Sequence, residues 1–231
     1  MPEGNPMHAR PLFTTALLVC TFAATAFAQV NVAGPGESGL GIGAAAAFAS
    51  DGSAIGAQFV GTASGLVDLG ISIRHESPDA GTGYWVKGLS LNIVPLRTRD
   101  RSVRWSLGGM FNYEFTNIKY ETSYYDPYHG GFPSSSSKSV DVLSFGGILF
   151  ADVDVSRKTY LQFAAQIALA DYNASSQSIT LYTFGAGFVT RQSIGGKVGF
   201  LASATIPSEG DYWTFGVQMN LFFAQHKKRK I

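Results

Sequence analysis

The feature that most restricts the fold is an alternation near the C-terminus, residues 211–224, reading D-Y-W-T-F-G-V-Q-M-N-L-F-F-A. Successive side chains of a β-strand point to opposite faces, so Trp213, Phe215, Val217, Met219, Leu221 and Phe223 share one face. Tyr212, Thr214, Gly216, Gln218 and Asn220 take the other. One continuously apolar face opposite a small, polar one is the pattern of a strand with hydrocarbon outside and a wet or polar-packed lumen inside.

The same two-residue period recurs upstream and predicts strands over 39–50, 54–64, 66–75, 84–96, 103–120, 140–156, 159–172, 179–190 and 197–206. With the last strand the count is ten. Eight is the fallback, because the first two segments are rich in Ala and Gly and show little contrast between faces. The third strand sends Val67, Leu69, Ile71 and Ile73 outward; the fifth sends Trp105, Leu107, Phe111, Tyr113 and Phe115. Trp85 and Trp105 fall where aromatic girdles belong. The inward parity gathers Asp68, Arg74, Arg104, Glu114, Asp152 and Asp154 as lumenal polar residues, with Asp68 and Arg74 expected to form an ion pair. Connections after even strands are short and those after odd strands mostly longer, the longest being 121–139. The fold expected is an all-β, antiparallel, up-and-down transmembrane barrel, since only a closed ladder satisfies every strand N–H and C=O in lipid.

Composition separates this reading from a soluble lipocalin-like barrel, which would turn its apolar face inward and need charge outside. Charged residues are 14% of the chain, about half the usual share, and the non-apolar face is mostly Gly, Ser, Thr, Asn and Gln. The net charge of +1 gives no electrostatic case for nucleic acid. Residues 1–28 have the form of a secretory signal: His8 and Arg10, an apolar run from Leu12 to Phe22, and Ala26-Phe27-Ala28 before Gln29, with Met7 an alternative start. The single cysteine, Cys20, lies within it, so the expected mature chain has no thiol. Residues 29–37 read as a periplasmic lead-in, 38–224 as the barrel and 225–231 as a basic tail. A barrel of this size is largely filled by side chains, which argues against a wide pore.

The last strand resembles the C-terminal strand of bacterial outer-membrane proteins, an alternating apolar run that ends in an aromatic, here Phe223 followed by eight further residues. That resemblance, to the broad family of small outer-membrane β-barrels, implies location in the bacterial outer membrane, contact with its lipid, and recognition of Trp213, Phe215, Val217, Met219, Leu221 and Phe223 by the barrel assembly machinery. The function it implies is structural, surface-interacting or that of a narrow passage.

Two motifs bear on chemistry. In the long loop Tyr124, Tyr125, Tyr128, His129 and Phe132 form an aromatic group suited to contacting a surface ligand, sugar or protein. At the outer end of the third strand, His75-Glu76-Ser77 resembles the H-x-S motif of outer-membrane lipid A deacylases and phospholipases, with Pro78 where those families carry Asn. The resemblance implies His75 as general base and Ser77 as nucleophile, an alternative function as a lipid hydrolase. No other catalytic set is visible. The four histidines show no metal spacing, the glycines at 39–43 precede no helix, and neither cofactor nor metal is expected.

Overall fold

The computed structural model describes residues 33–34, 36–79, 82–100, 102–126, 130–173, 178–192, 196–209 and 213–224, with the backbone alone over 118–126 and 130–138. The signal segment, the lead-in up to residue 32, Tyr128, His129, Tyr212 and the basic tail lie outside the described residues. Ten strands follow in order: β1 (Gly39–Ala49), β2 (Gly52–Ala63), β3 (Val67–Pro78), β4 (Tyr84–Asp100), β5 (Val103–Asp126), β6 (Gly130–Asp154), β7 (Thr159–Tyr172), β8 (Ser178–Arg191), β9 (Gly196–Pro207) and β10 (Thr214–Ala224). Each pairs antiparallel with its chain neighbours, and β1 closes on β10 from Gly39↔Ala224 to Ala49↔Thr214. The even count and the closure match the sequence reading, and eight is set aside.

The two faces are sorted as the alternation requires. Ile55 is 66% exposed and Leu69 62%, and Leu40, Ile71, Trp85, Leu89, Phe145, Phe163, Phe184 and Phe215 join them in a belt around the outside. An apolar surface that encircles the molecule far exceeds the few hundred Å² a soluble monomer tolerates. Inside, the lumen is packed. Ile148, Phe150, Leu181, Leu201, Val189 and Phe222 are buried there alongside Gln162, Gln166, Asn112 and Thr205. The inner face is therefore less uniformly polar than its Gly, Ser and Thr suggest, because large apolar side chains fill the space the small ones leave.

The faint contrast of β1 has a packing cause. Asn220 Oδ1 accepts hydrogen bonds from Gln58 Nε2 at 2.8 Å and Gln218 Nε2 at 3.2 Å, and a Cβ on Gly43 would lie 2.0 Å from that oxygen. Side chains of β2 and β10 thus meet across β1, which must stay bare at this level.

Two boundaries differ from the sequence expectation. β4 continues to Asp100 through a register shift between Ile93 and Leu96, where Pro95, lacking an N–H for the ladder, sits in a bulge. The shift resets the parity so that Leu96 faces out while Arg97 is half-buried. The larger correction concerns 121–139, expected as a loop. β5 and β6 remain paired from Asn117↔Ser139 to Asp126↔Gly130, ten residue pairs beyond the last rung either shares with β4 or β7. At about 3.4 Å per residue this ribbon stands roughly 30 Å past its neighbours. Its root is pinned by Asn173, whose Oδ1 accepts from the Asp141 N–H at 3.0 Å and whose Nδ2 donates to Asp141 Oδ2 at 2.9 Å.

Candidate functional site

Three places on this frame bring polar side chains together: the half of the lumen nearer the ribbon, the mouth at the end that holds Gly39 and Ala224, and the ribbon root with its adjoining rim.

The half of the lumen nearer the ribbon holds a closed ionic network. Arg74 on β3 donates from Nε to Glu76 Oε1 at 2.6 Å, and its Nη1 and Nη2 engage Glu114 of β5 in a fork, the Nη2 bond to Oε2 being 2.8 Å. Tyr84 Oη donates to the other Glu76 oxygen at 2.6 Å. Arg74, Glu76 and Glu114 are 3%, 0% and 1% exposed. Bidentate charge-assisted bonds of this kind are the strong ones, and none of the polar side-chain atoms of these four residues is left without a partner. The expected Asp68–Arg74 pair does not form. Asp68, six residues nearer the other end of the same strand, hydrogen-bonds Thr62. Glu76 lies one residue past the sequence-predicted end of the third strand at His75, and its inward parity with Arg74 is the signal that places it here.

At the Gly39 and Ala224 end the lumen is stoppered by the last residues of the lead-in. Ala33 is buried against Tyr160, Val189, Leu201 and Phe222. The Gly36 N–H donates to the Ser64 carbonyl at 2.9 Å, and the Ser64 N–H donates to Ser38 Oγ at 2.9 Å. Gly65, at φ +62°, passes so close that a Cβ there would lie 2.2 Å from the Gly34 carbonyl oxygen, a position only glycine can hold. Glu37 takes the Gly34 N–H at 2.7 Å, binds the Lys197 ammonium and lies 3.9 Å from Arg191. Burial alone would push the Glu37 carboxyl up, but the Lys197 and Gly34 hydrogen bonds, with the charges of Lys197 and Arg191, outweigh it and hold the group below its ordinary value. Above the stopper, Gln162 Nε2 donates to Asp152 Oδ1 at 2.8 Å, and Arg104 Nη2 lies 3.1 Å from Asp154 and 3.9 Å from Asp152. The sequence brought Arg104, Asp152 and Asp154 to this level; it missed Arg97, hidden by the bulge, and Glu37, in a segment without strand pattern.

On the rim nearer the ribbon His75 and Ser77 share the outward parity expected, with Ser77 Oγ 3.3 Å from His75 Nδ1 and the imidazole edge-on to Trp85 at 5.0 Å. Such a contact is what any i, i+2 pair on one strand face can make. The other ring nitrogen abuts Gly83, where a Cβ would come within 2.9 Å of Nε2. Among the described residues no carboxylate is bonded to this ring, the place a triad gives its third member. Of the aromatic group, Tyr124 and Tyr125 lie on β5 and Phe132 on β6, with Tyr124 opposite Phe132 and Tyr125 opposite Gly131. On β10, Phe215, Met219 and Phe223 are exposed on the outer face and Val217 and Leu221 half-exposed, with Trp213 exposed just before the strand.

The closed sheet and its greasy exterior can be set beside solved structures. The beta domain of the Bordetella autotransporter BrkA matches with a TM-score of 0.50 at 10% identity, over 82% of this chain and 100% of that one. The protein has the fold of a bacterial outer-membrane β-barrel. The translocator domain of the autotransporter NalP from Neisseria meningitidis is a more distant likeness, with a TM-score of 0.43 at 12% identity over 91% of this chain and 96% of that one. The attachment invasion locus protein Ail of Yersinia pestis has a TM-score of 0.35 at 12% identity over 83% and 100%. No family model and no curated protein matches the sequence. The ribbon projects from the end of the barrel opposite to the stopper.

Two outcomes follow from these networks. Arg74→Met strands Glu76 and Glu114 together in the lumen and is expected to lower stability by about 3–5 kcal/mol, read as the urea midpoint in lipid vesicles; Glu114→Gln, which leaves Arg74 paired with Glu76, costs less. For the stopper the sign is set by a depressed carboxyl. Its contribution is full above the ordinary glutamate value and is lost as pH falls through the lower folded one. Wild type should therefore exceed Glu37→Gln by about 1 kcal/mol at neutral pH, with the difference shrinking as the pH is taken below the ordinary glutamate range.

Proposed function

We propose that this protein is a closed outer-membrane platform that holds the β5–β6 ribbon away from the cell surface as a binding element, and that it is not a diffusion channel. The observation that carries the reading is the ribbon itself, ten residue pairs with no third strand on either edge, rooted in a barrel whose interior is occupied. A structural barrel needs only strands of about 9–11 residues to cross the membrane, and β5 and β6 are 24 and 25. Binding residues are commonly placed on projecting segments of rigid scaffolds.

By register, Ile118, Tyr120, Tyr124 and Phe132 fall on one face of the ribbon, while Lys119, Glu121, Tyr125 and most of the serines fall on the other. The face that carries these aromatics, with Thr122 and Lys138 among them, suits stacking on sugar rings or on exposed apolar side chains. The two unpaired backbone edges offer hydrogen bonds as well.

The test replaces residues 120–136 by Asn-Gly, which joins Lys119 to Ser137 in the register they already hold. Barrels of both forms, shown to be folded by their faster migration in unheated SDS gels, are compared for adhesion of displaying cells to immobilised polysaccharide and host matrix protein, and for current in planar bilayers. Adhesion by wild type that is lost in the shortened form, with no steady current from either, is expected. Steady current from the wild-type protein and equal adhesion by both forms would overturn the reading.

A further inference from the structure

The two lumenal networks differ in one respect that points to a ligand. Around Arg74 every polar side-chain atom has a partner, as a lock requires. At the mouth with the stopper this is not so. Arg97 Nε and Arg104 Nε are both buried without a hydrogen-bond acceptor, and both residues line a chamber of about 370 Å³. These N–H groups are hydrogen-bonding capacity that the protein's own side chains and backbone do not use.

The chamber's chemistry narrows what that acceptor is. Lys197 and Arg99 contribute further positive charge to its wall, against Asp152 alone among acidic lining residues. Asp154 and Glu37 lie nearby but are engaged by Arg99, Arg104 and Lys197. Asp152 already accepts from Gln162. The Arg104 guanidinium is stacked 4.6 Å over the Tyr160 ring, and Arg97 is tethered through Nη2 to the Gly65 carbonyl, so both heads are held with Nε unspent. Planar guanidinium edges beside an ammonium are the side chains that best match the oxygens of a phosphate group. The chamber is larger than a bare phosphate fills.

We infer that the chamber between the lead-in stopper and the adjoining ends of β4 and β5 is a phosphate-binding site, taking a small phosphomonoester or the phosphate of a lipid headgroup. The headgroup source is within reach because Trp105 and Thr98, on the lipid side of the β4–β5 hairpin, also border the chamber. Ala33 and Gly34 form one of its walls, so the stopper completes the site as well as closing the mouth. None of this depends on the ribbon or on what the ribbon binds.

The experiment uses full-length protein folded in maltoside micelles, which carry no phosphate, titrated with sodium phosphate by calorimetry and followed by the temperature at which the fast-migrating gel form is lost. Saturable binding of one phosphate per barrel is expected, with a rise in that temperature that sodium chloride at matched ionic strength does not reproduce. Arg97→Lys and Arg104→Lys keep the charge but remove Nε, and each should weaken binding about tenfold or more while the folded form persists. Competition by a few molecules of phosphatidylglycerol per barrel assigns the site to a headgroup; its absence assigns it to a soluble phosphate compound. A chloride effect equal to that of phosphate, no saturable heat from the wild-type protein, or undiminished binding in both variants would overturn the inference. If either variant fails to fold, the wild-type titration alone decides.

Discussion

Everything in this structure depends on backbone hydrogen bonding in a medium that offers none. Each strand N–H and C=O within the hydrocarbon must find a partner on an adjacent strand, so the sheet has no admissible edge and must close. The seam is the pairing of β1 with β10, eleven residues deep. Once the sheet is closed, the outward half of every strand is bound to be apolar and everything else must fit inside one cylinder. That is why the lumen mixes Phe150 and Leu201 with Gln162 and Thr205, and why β1, over which Gln58 and Asn220 meet, has nothing larger than alanine facing inward.

Filling the lumen creates the electrostatic problem that the two networks answer differently. In the half of the lumen nearer the ribbon Arg74 is fully consumed by Glu76 and Glu114, and a satisfied buried network rigidifies and closes. At the stopper end the cationic side chains lining the chamber outnumber its acidic ones, and the lead-in lies against it as a stopper clamped by Glu37 on Lys197. On the proposed reading, a barrel closed at both levels acts through what it displays, which connects the packing of the lumen to the length of the ribbon.

The parts legible in the sequence were those where one face is apolar without interruption. β10, β5 up to Tyr120, and β7 were readable because Phe, Trp, Leu and Ile recur at every second position. The inward set was readable by parity, but partners were not. Parity places Arg74, Asp68 and Glu114 on one face, whereas their heights are fixed by a register that only the three-dimensional pairing reveals. Arg97 was concealed by the bulge at Pro95, which reverses the alternation within one strand. The ribbon reads as a loop in sequence because Gly130-Gly131, Pro133 and four serines are turn-like residues, and with no core on either side nothing demands an apolar face. The acidic clamp at Glu37 lies in a segment with no periodic signal, and its role follows only from where β9 delivers Lys197.

The central claim is that the first and last strands are hydrogen-bonded partners in one chain, and a cysteine pair tests it most directly. Ala46 and Val217 are opposite each other across the seam, and opposed residues of antiparallel strands have Cα atoms about 4.5–5.5 Å apart, within disulfide range. In a Cys20→Ser background, Ala46→Cys with Val217→Cys is expected to oxidise within a single chain in the membrane-inserted protein, whereas Ala46→Cys with Gln218→Cys, whose side chains face opposite sides of the wall, is not. Equal oxidation of both pairs, or a bond formed only between chains, would contradict the closed barrel.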